Sequence, residues 1–184
     1  MTLEIMPVTG LPEFREGDDV AAVLAGPLTA MGLSDGDIVV VTQKVVSKAE
    51  GRVVAAKPGQ RDAVIARETR RVVARRGGIV IAETHHGFVC ANAGVDESNL
   101  AAGMVSLLPE DPDASAARIR EGLADRTNAK VAVVVTDTFG RPWRNGLVNV
   151  AIGCAGMPAL LDRYERTLRR ALDERPDQHA YIVT

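Results

Sequence analysis

The sequence predicts an α+β fold, a mixed sheet with flanking helices, and three observations carry that expectation. Short β-branched runs alternate with helical patterns, but without the regular strand–helix rhythm of a doubly wound sheet. The 184 residues suit one domain of roughly 150 residues, or two small lobes sharing a core. Hydrophobic residues make up 46% and aromatics only 3%, so the core must be built from Val, Ala, Leu and Ile.

Residues 3–8, LEIMPV, read as a strand. Asp18 or Asp19 then caps a helix through VAAVLAGPLTAM, which Gly26-Pro27 is expected to interrupt. DIVVVTQ (37–43) is a strand entered through the turn LSDGD. Residues 61–76 place Val64, Ile65, Thr69, Val72 and Val73 on one face of a helix, with Gly77-Gly78 ending it. IVIAE and GFVCAN follow as a strand pair. Asp111-Pro112 opens another helix through DPDASAARIREGLADR, with an N-cap and a proline in its first turn. KVAVVVTD (130–137) is a strand whose nearly continuous Val run implies burial on both faces. From Pro158 onward, Leu161, Tyr164, Leu168 and Leu172 mark an amphipathic helix.

Several function classes drop out. Lys and Arg total 22 against 24 Asp and Glu, a net charge of −2, which gives no sign of a nucleic-acid surface. Cys90 and Cys154 form no CxxC, so neither a disulfide scaffold nor a zinc knuckle is expected. Glu4 stands where a signal peptide would carry basic residues, and no run reaches the roughly 18 apolar residues of a membrane span. The expected location is cytoplasmic, with no membrane partner. There is no GxxxxGK[ST], GxGxxG or HExxH. His85 and His86 are adjacent, and in a strand would face opposite ways and not share a metal.

Polar clusters interrupt the apolar segments. GLPEFREGDD (10–19) is either a turn with an N-cap or a loop whose amides at Leu11 to Phe14 meet a ligand. In TQKVVSKAEGR (42–52), Lys44 and Lys48 share a face, fit either to receive an anion or to form a solvated edge. In ANAGVDESN (91–99), Asp96 and Asn99 follow a Gly turn, which an Asx-turn or helix cap would also explain. In VVVTDTFGRPWRNG (133–146), a buried strand ends in Thr136-Asp137-Thr138, with Arg141 and Arg144 close behind. Asp137 beside a hydroxyl is a plausible hard-cation ligand pair, and two arginines suit a polyanion. Together these describe an acidic metal site, Asp96 with Asp137, beside basic residues for phosphates: the inventory of phosphoryl transfer.

The blocks GLPEFREGDD, DGDIVVVTQKVVSKAEGR, HHGFVCANAGVDESN, LLPEDPDASAARIR and VVVTDTFGRPWRNGLVNVAIGCAG strongly resemble the coenzyme F-420-0:L-glutamate ligase family, in order and spacing, from about residue 3 to about 161. The resemblance implies a two-lobed α+β subunit that pairs into an intertwined homodimer, and GTP-dependent addition of L-glutamate to coenzyme F-420-0 through an acyl phosphate. It assigns guanine-nucleotide contacts to Leu11, Pro12, Glu13, Phe14, Gln43, Lys44, Lys48 and Asn99. It assigns metal ligands to Asp96, Asp137 and Thr138, for two divalent ions, Mg2+ or Mn2+, with K+ as a further candidate. It names no catalytic side chain.

The resemblance divides the chain into a partial ligase domain, 1–161, and a divergent tail, 162–184, where the family's last block is expected but does not align. The same module can also be fused to a nitroreductase-like domain. The rival expectation is a truncated, non-catalytic homologue that keeps nucleotide or metal binding, or a scaffold role.

Overall fold

In the computed structural model, residues 3–57, 59–140, 146, 148–159 and 179–183 are described, the last five by their backbone alone. The main sheet has the strand order β1-β10-β2-β8-β9. Its strands are β1 (Glu4–Val8), β2 (Ile38–Thr42), β8 (Ala132–Asp137), β9 (Val150–Ala155) and β10 (His179–Val183). The first four in spatial order run parallel, and β9 closes the edge antiparallel to β8. A two-stranded antiparallel sheet pairs β3 (Val53–Ala55) with β7 (Met104–Ser106). A three-stranded antiparallel sheet joins β4 (Thr69–Arg76), β5 (Ile79–Thr84) and β6 (Val89–Ala91). With helices α1 (Val20–Ala30), α2 (Gln43–Ala49), α3 (Arg61–Glu68) and α4 (Pro112–Thr127), the fold is α+β with mixed sheets, as the sequence predicts.

Two apolar clusters hold it together. The larger gathers Leu24 and Leu28 of α1, Val39 and Val41 of β2, Ile119 and Leu123 of α4, and Val133 and Val135 of β8. Each fully buried Leu contributes roughly 1.5–3 kcal/mol of transfer free energy. The smaller packs Val64 and Ile65 of α3 against Val95, Val105 and Leu107. The continuous Val run of β8 is explained by its place between β2 and β9: Val133 and Val135 are fully buried. α4 begins as its sequence dictates, with the Asp111 carboxylate accepting from Ala114 N at 2.9 Å and Pro112 in the first turn.

Three expectations need correction or placement. Gly26-Pro27 does not interrupt α1: Leu24 and Leu28 are both fully buried, and the anchoring on either side of the proline outweighs its missing donor. Residues 61–76 are not one helix. The Thr69 hydroxyl bonds back to Ile65 O at 2.6 Å where α3 ends, and the chain then extends into β4. Two β-branched valines favour that strand, and the neighbouring Arg70 and Arg71 both reach Glu83 of β5. Gly77-Gly78 is then a two-residue hairpin turn, with Gly77 at φ +57°, and not a helix end. The amphipathic tail of Leu161, Tyr164, Leu168 and Leu172 lies outside the described residues. Beyond it, residues 179–183 form β10, inserted between β1 and β2.

Candidate functional site

β1, β2 and β8 run parallel, so their carboxyl ends share one sheet edge; Thr42 and Thr136 are direct cross-strand partners there. The carboxyl edge of parallel strands is where open sheets place ligands. The loop after β1 carries Leu11 to Phe14, β2 runs straight into α2 with Gln43, Lys44 and Lys48, and β8 ends in Asp137-Thr138. A cleft of about 1000 Å³ opens at this edge. Of the site residues expected from the sequence, Leu11, Pro12, Glu13, Phe14, Gln43, Lys44, Lys48, Asp96, Asn99, Asp137 and Thr138 line it.

Lys44 and Lys48 lie one turn apart on α2 and face the cleft together. Lys44 Nζ is held 2.6 Å from Asp96 Oδ2 and donates to Ser98 O and Ser98 Oγ at 2.6 and 2.7 Å. Lys48 Nζ pairs with the exposed Glu13 carboxylate and holds that carboxyl below its usual range. Gln43 is buried, and its amide nitrogen donates to Leu107 O at 2.7 Å and meets Ser47 Oγ at 2.6 Å. Phe14 is also buried and packs in the larger core, which fixes the loop carrying Glu13.

Asp96 is rigidly presented. Its backbone bridges to Ser106 in both directions, and its side chain closes an Asx-turn by accepting from Ser98 N at 3.0 Å. Burial pushes its carboxyl up, but the Lys44 ammonium and the Ser98 donors outweigh burial and hold it below the ordinary range. Asp137 is the opposite case. Burial raises its carboxyl, the Asp96 charge raises it further, and the Thr138 amide and Lys44 offset only part. Beside it, Thr136 Oγ1 is buried with no hydrogen-bond partner. Two carboxylates that repel each other, next to an orphaned hydroxyl, are hard oxygen donors whose mismatch a divalent cation would relieve. Among the described residues no group of three His, Cys, Asp or Glu could hold a metal. Asp96, Asp137 and the threonine hydroxyls are oxygen donors of the kind that a hard ion such as Mg2+ takes while keeping several water ligands.

The backbone beside these acids is unusual. Asn92, Ala93 and Asn99 have φ near +54°, and at Gly94 (φ +75°) a Cβ would meet Leu108 Cγ at 2.8 Å. Left-handed non-glycine residues cluster at ligand sites because their strain must be held by the surroundings. Ala91 N bonds to Gly140 O at 2.8 Å, tying β6 to the loop after β8.

Sequence reasoning missed Arg61, Glu97 and Asn149, all of which line the cleft. Asn149 accepts from the Thr138 hydroxyl, but no motif marks it. Arg141 and Arg144, expected to meet a polyanion, lie outside the described residues. His85 and His86 sit in the turn between β5 and β6, and their Nε2 atoms meet the carbonyls of Arg67 and Pro109 at 3.0 and 2.8 Å. Cys90 is fully buried, and burial pushes its thiol up to about 12, so it is no nucleophile. No described helix is long and apolar enough to cross a membrane.

The chain is also similar to known proteins. Residues 10–179 match the model of the F420-0:Gamma-glutamyl ligase family. The chain is 38% identical to the coenzyme F420:L-glutamate ligase of Methanothermobacter thermautotrophicus, over 89% of its own length and 72% of that protein. It is 41% identical to the protein of that name from Methanopyrus kandleri, over 88% and 70%. With the Archaeoglobus fulgidus protein of that name it shares 36% identity over the same fractions.

Proposed function

The chain belongs to the F420-0:Gamma-glutamyl ligase family, and from that premise we propose that it joins L-glutamate to coenzyme F420-0 at the expense of GTP. The observation that carries the reading is convergence: loop, helix and strand end bring two lysines and two carboxylates into one cleft. A carboxylate cannot acylate an amine at neutral pH without an activated leaving group. Phosphoryl transfer supplies one, and positioning with charge neutralisation is most of what it asks of a protein.

A carboxylate oxygen of F420-0 attacks the γ-phosphorus of GTP, GDP leaves, and an acyl phosphate forms. The glutamate amine then attacks the acyl carbon; the bond to phosphate breaks, and phosphate and one proton are released. Lys44 and Lys48 neutralise the nucleotide's phosphates, while the loop Leu11 to Phe14 and Asn99 position it. Asp96, Asp137 and Thr138 offer oxygen ligands to divalent cations, which would draw off charge from the transferred group. Asp137 suits that role because, among the described residues, its ionised form has no ion-pair partner, and its charge is offset by Thr138 N–H at 2.8 Å and the field of Lys44.

The test is a discontinuous assay of the intact chain with F420-0, L-glutamate, GTP and Mn2+. Glutamate-dependent release of GDP and phosphate, with a product heavier by one glutamyl residue, is the expected result. Nucleotide binding without turnover would support a non-catalytic homologue instead.

A further inference from the structure

A second cavity, of about 370 Å³, adjoins the main cleft, within the roughly 300–1,000 Å³ of small-ligand sites. Its charged lining is short: Lys57, Arg61 and Glu97, against walls of small or apolar residues from Leu100 to Val105. Arg61 and Glu97 line both spaces, so they form the wall between them. They meet as an ion pair, Arg61 Nε to Glu97 Oε1 at 2.5 Å, so each fixes the other's position. Lys57 lines only the second cavity, and its ammonium has no partner among the described residues.

Two cations and one carboxylate around a small space specify a complementary ligand: two carboxylates and one ammonium. That is the charge formula of an acidic amino acid. We propose that this cavity is the L-glutamate subsite, which rests on the ligase reading above. Glu97 and Arg61, at the shared wall, hold the α-ammonium and α-carboxylate, and Lys57, exposed on the side away from that wall, holds the distal carboxylate. The order follows from which residues touch both spaces. It turns the amine toward the cleft in which Lys44 and Asp137 lie, and leaves the distal carboxylate on the side away from it. Arginine suits the wall because its planar fork can keep Glu97 on one nitrogen while offering others to a carboxylate.

Calorimetric titration of the intact protein, with GTP and Mn2+ but without F420-0, is the test. L-Glutamate is expected to bind the wild type. Lys57→Ala should weaken it by about tenfold or more, the scale of a charge-assisted contact, and should abolish discrimination against L-glutamine. Lys57→Arg should restore most of the binding, and Arg61→Gln should weaken both amino acids alike. Absence of L-glutamate binding by the wild type, or an unchanged affinity in Lys57→Ala, overturns the subsite. The ligase assay distinguishes the two readings. Turnover with an unaltered glutamate KM in Lys57→Ala sinks the subsite alone. Glutamate binding through Lys57 without turnover supports the subsite and sinks the ligase.

Discussion

Lys44 Nζ lies 2.6 Å from Asp96 Oδ2, so the lysine expected to meet phosphate neutralises the acid expected to meet metal. The two are about 19% and 46% exposed, so the pair is half-shielded rather than a surface ornament. Lys44→Met removes the cation and leaves Asp96 beside Asp137. Nucleotide affinity should fall, while Mn2+ affinity in the absence of nucleotide should rise, since one competitor for Asp96 is gone. The folded state should lose about 1 kcal/mol or less, given the screening of a half-exposed pair. Asp96 is held below the ordinary carboxylate range, so its contribution is present above that range and is lost as pH falls through the depressed value. The stability difference between wild type and variant should therefore shrink in acid. Paired melts at pH 7 and pH 3, with Mn2+ titrations, check both signs.

Asp137→Asn tests the opposite electrostatic case. Burial and Asp96 raise its carboxyl, so the protein is favoured below the ordinary carboxylate pKa and loses that advantage as pH rises through the raised value. The amide removes this cost, so the cation-free variant should be as stable as wild type or more so near neutral pH. Mn2+ affinity should fall at least roughly tenfold, because one of few anionic ligands is lost. Unchanged Mn2+ affinity by calorimetry, with nucleotide present, would remove Asp137 from the site.

Lys48→Ala should lower nucleotide affinity by about 1–3 kcal/mol, the range for a charge-assisted contact. Folding should barely change, since the partner of Lys48 is the exposed Glu13 and such pairs contribute little. Equal losses of melting temperature and of affinity would make Lys48 structural.

The close approach of β9 to the start of α4 gives a stability test away from the cleft. A Cβ at Gly153 would lie 2.3 Å from Pro112 C and 2.4 Å from Pro112 O, which are backbone atoms. Cys154 N is also tied to Asp113 Oδ1 at 2.8 Å, so the strand cannot slide away without losing that bond. Gly153→Ala should cost about 1–3 kcal/mol by overpacking. A chemical denaturation midpoint equal to wild type would show that the contact relaxes freely.

The site was legible in the sequence because each polar cluster ends an apolar run, and parallel strands send their carboxyl ends to one edge. Asp137 closes β8, Gln43 follows β2 without a gap, and the loop of Leu11 to Phe14 leaves β1. Arg61, Glu97 and Asn149 join that edge only through tertiary packing, so no spacing announces them. Local pattern also failed at residues 69–76, where a helical reading and a strand reading place the same valines plausibly. Pairing to β5 decides between them, and pairing is not local. β10 escaped notice for a related reason. HAYIV is short, and only its neighbours β1 and β2 make it an interior strand.

That interior position changes what removal of the tail should do. The amphipathic stretch 161–172 suits a cover for part of the surface that the family's last block would occupy, in a homodimer, and light scattering with and without residues 159–184 would test such a role. β10, however, is the only ladder partner of β1 among the described residues, and it also pairs along β2. Deleting it should detach β1 and uncover the edge of β2, which carries Val39 and Val41 of the larger core. A point substitution separates this from the loss of an interface. Tyr181→Pro removes one ladder donor from a strand with neighbours on both sides, a place that proline does not tolerate. It should cost at least about 2 kcal/mol, or roughly 4–8 °C of melting temperature for a chain of this size. Melting should weaken at every protein concentration. A variant that melts like wild type when concentrated and falls only on dilution would assign these residues to association between copies instead.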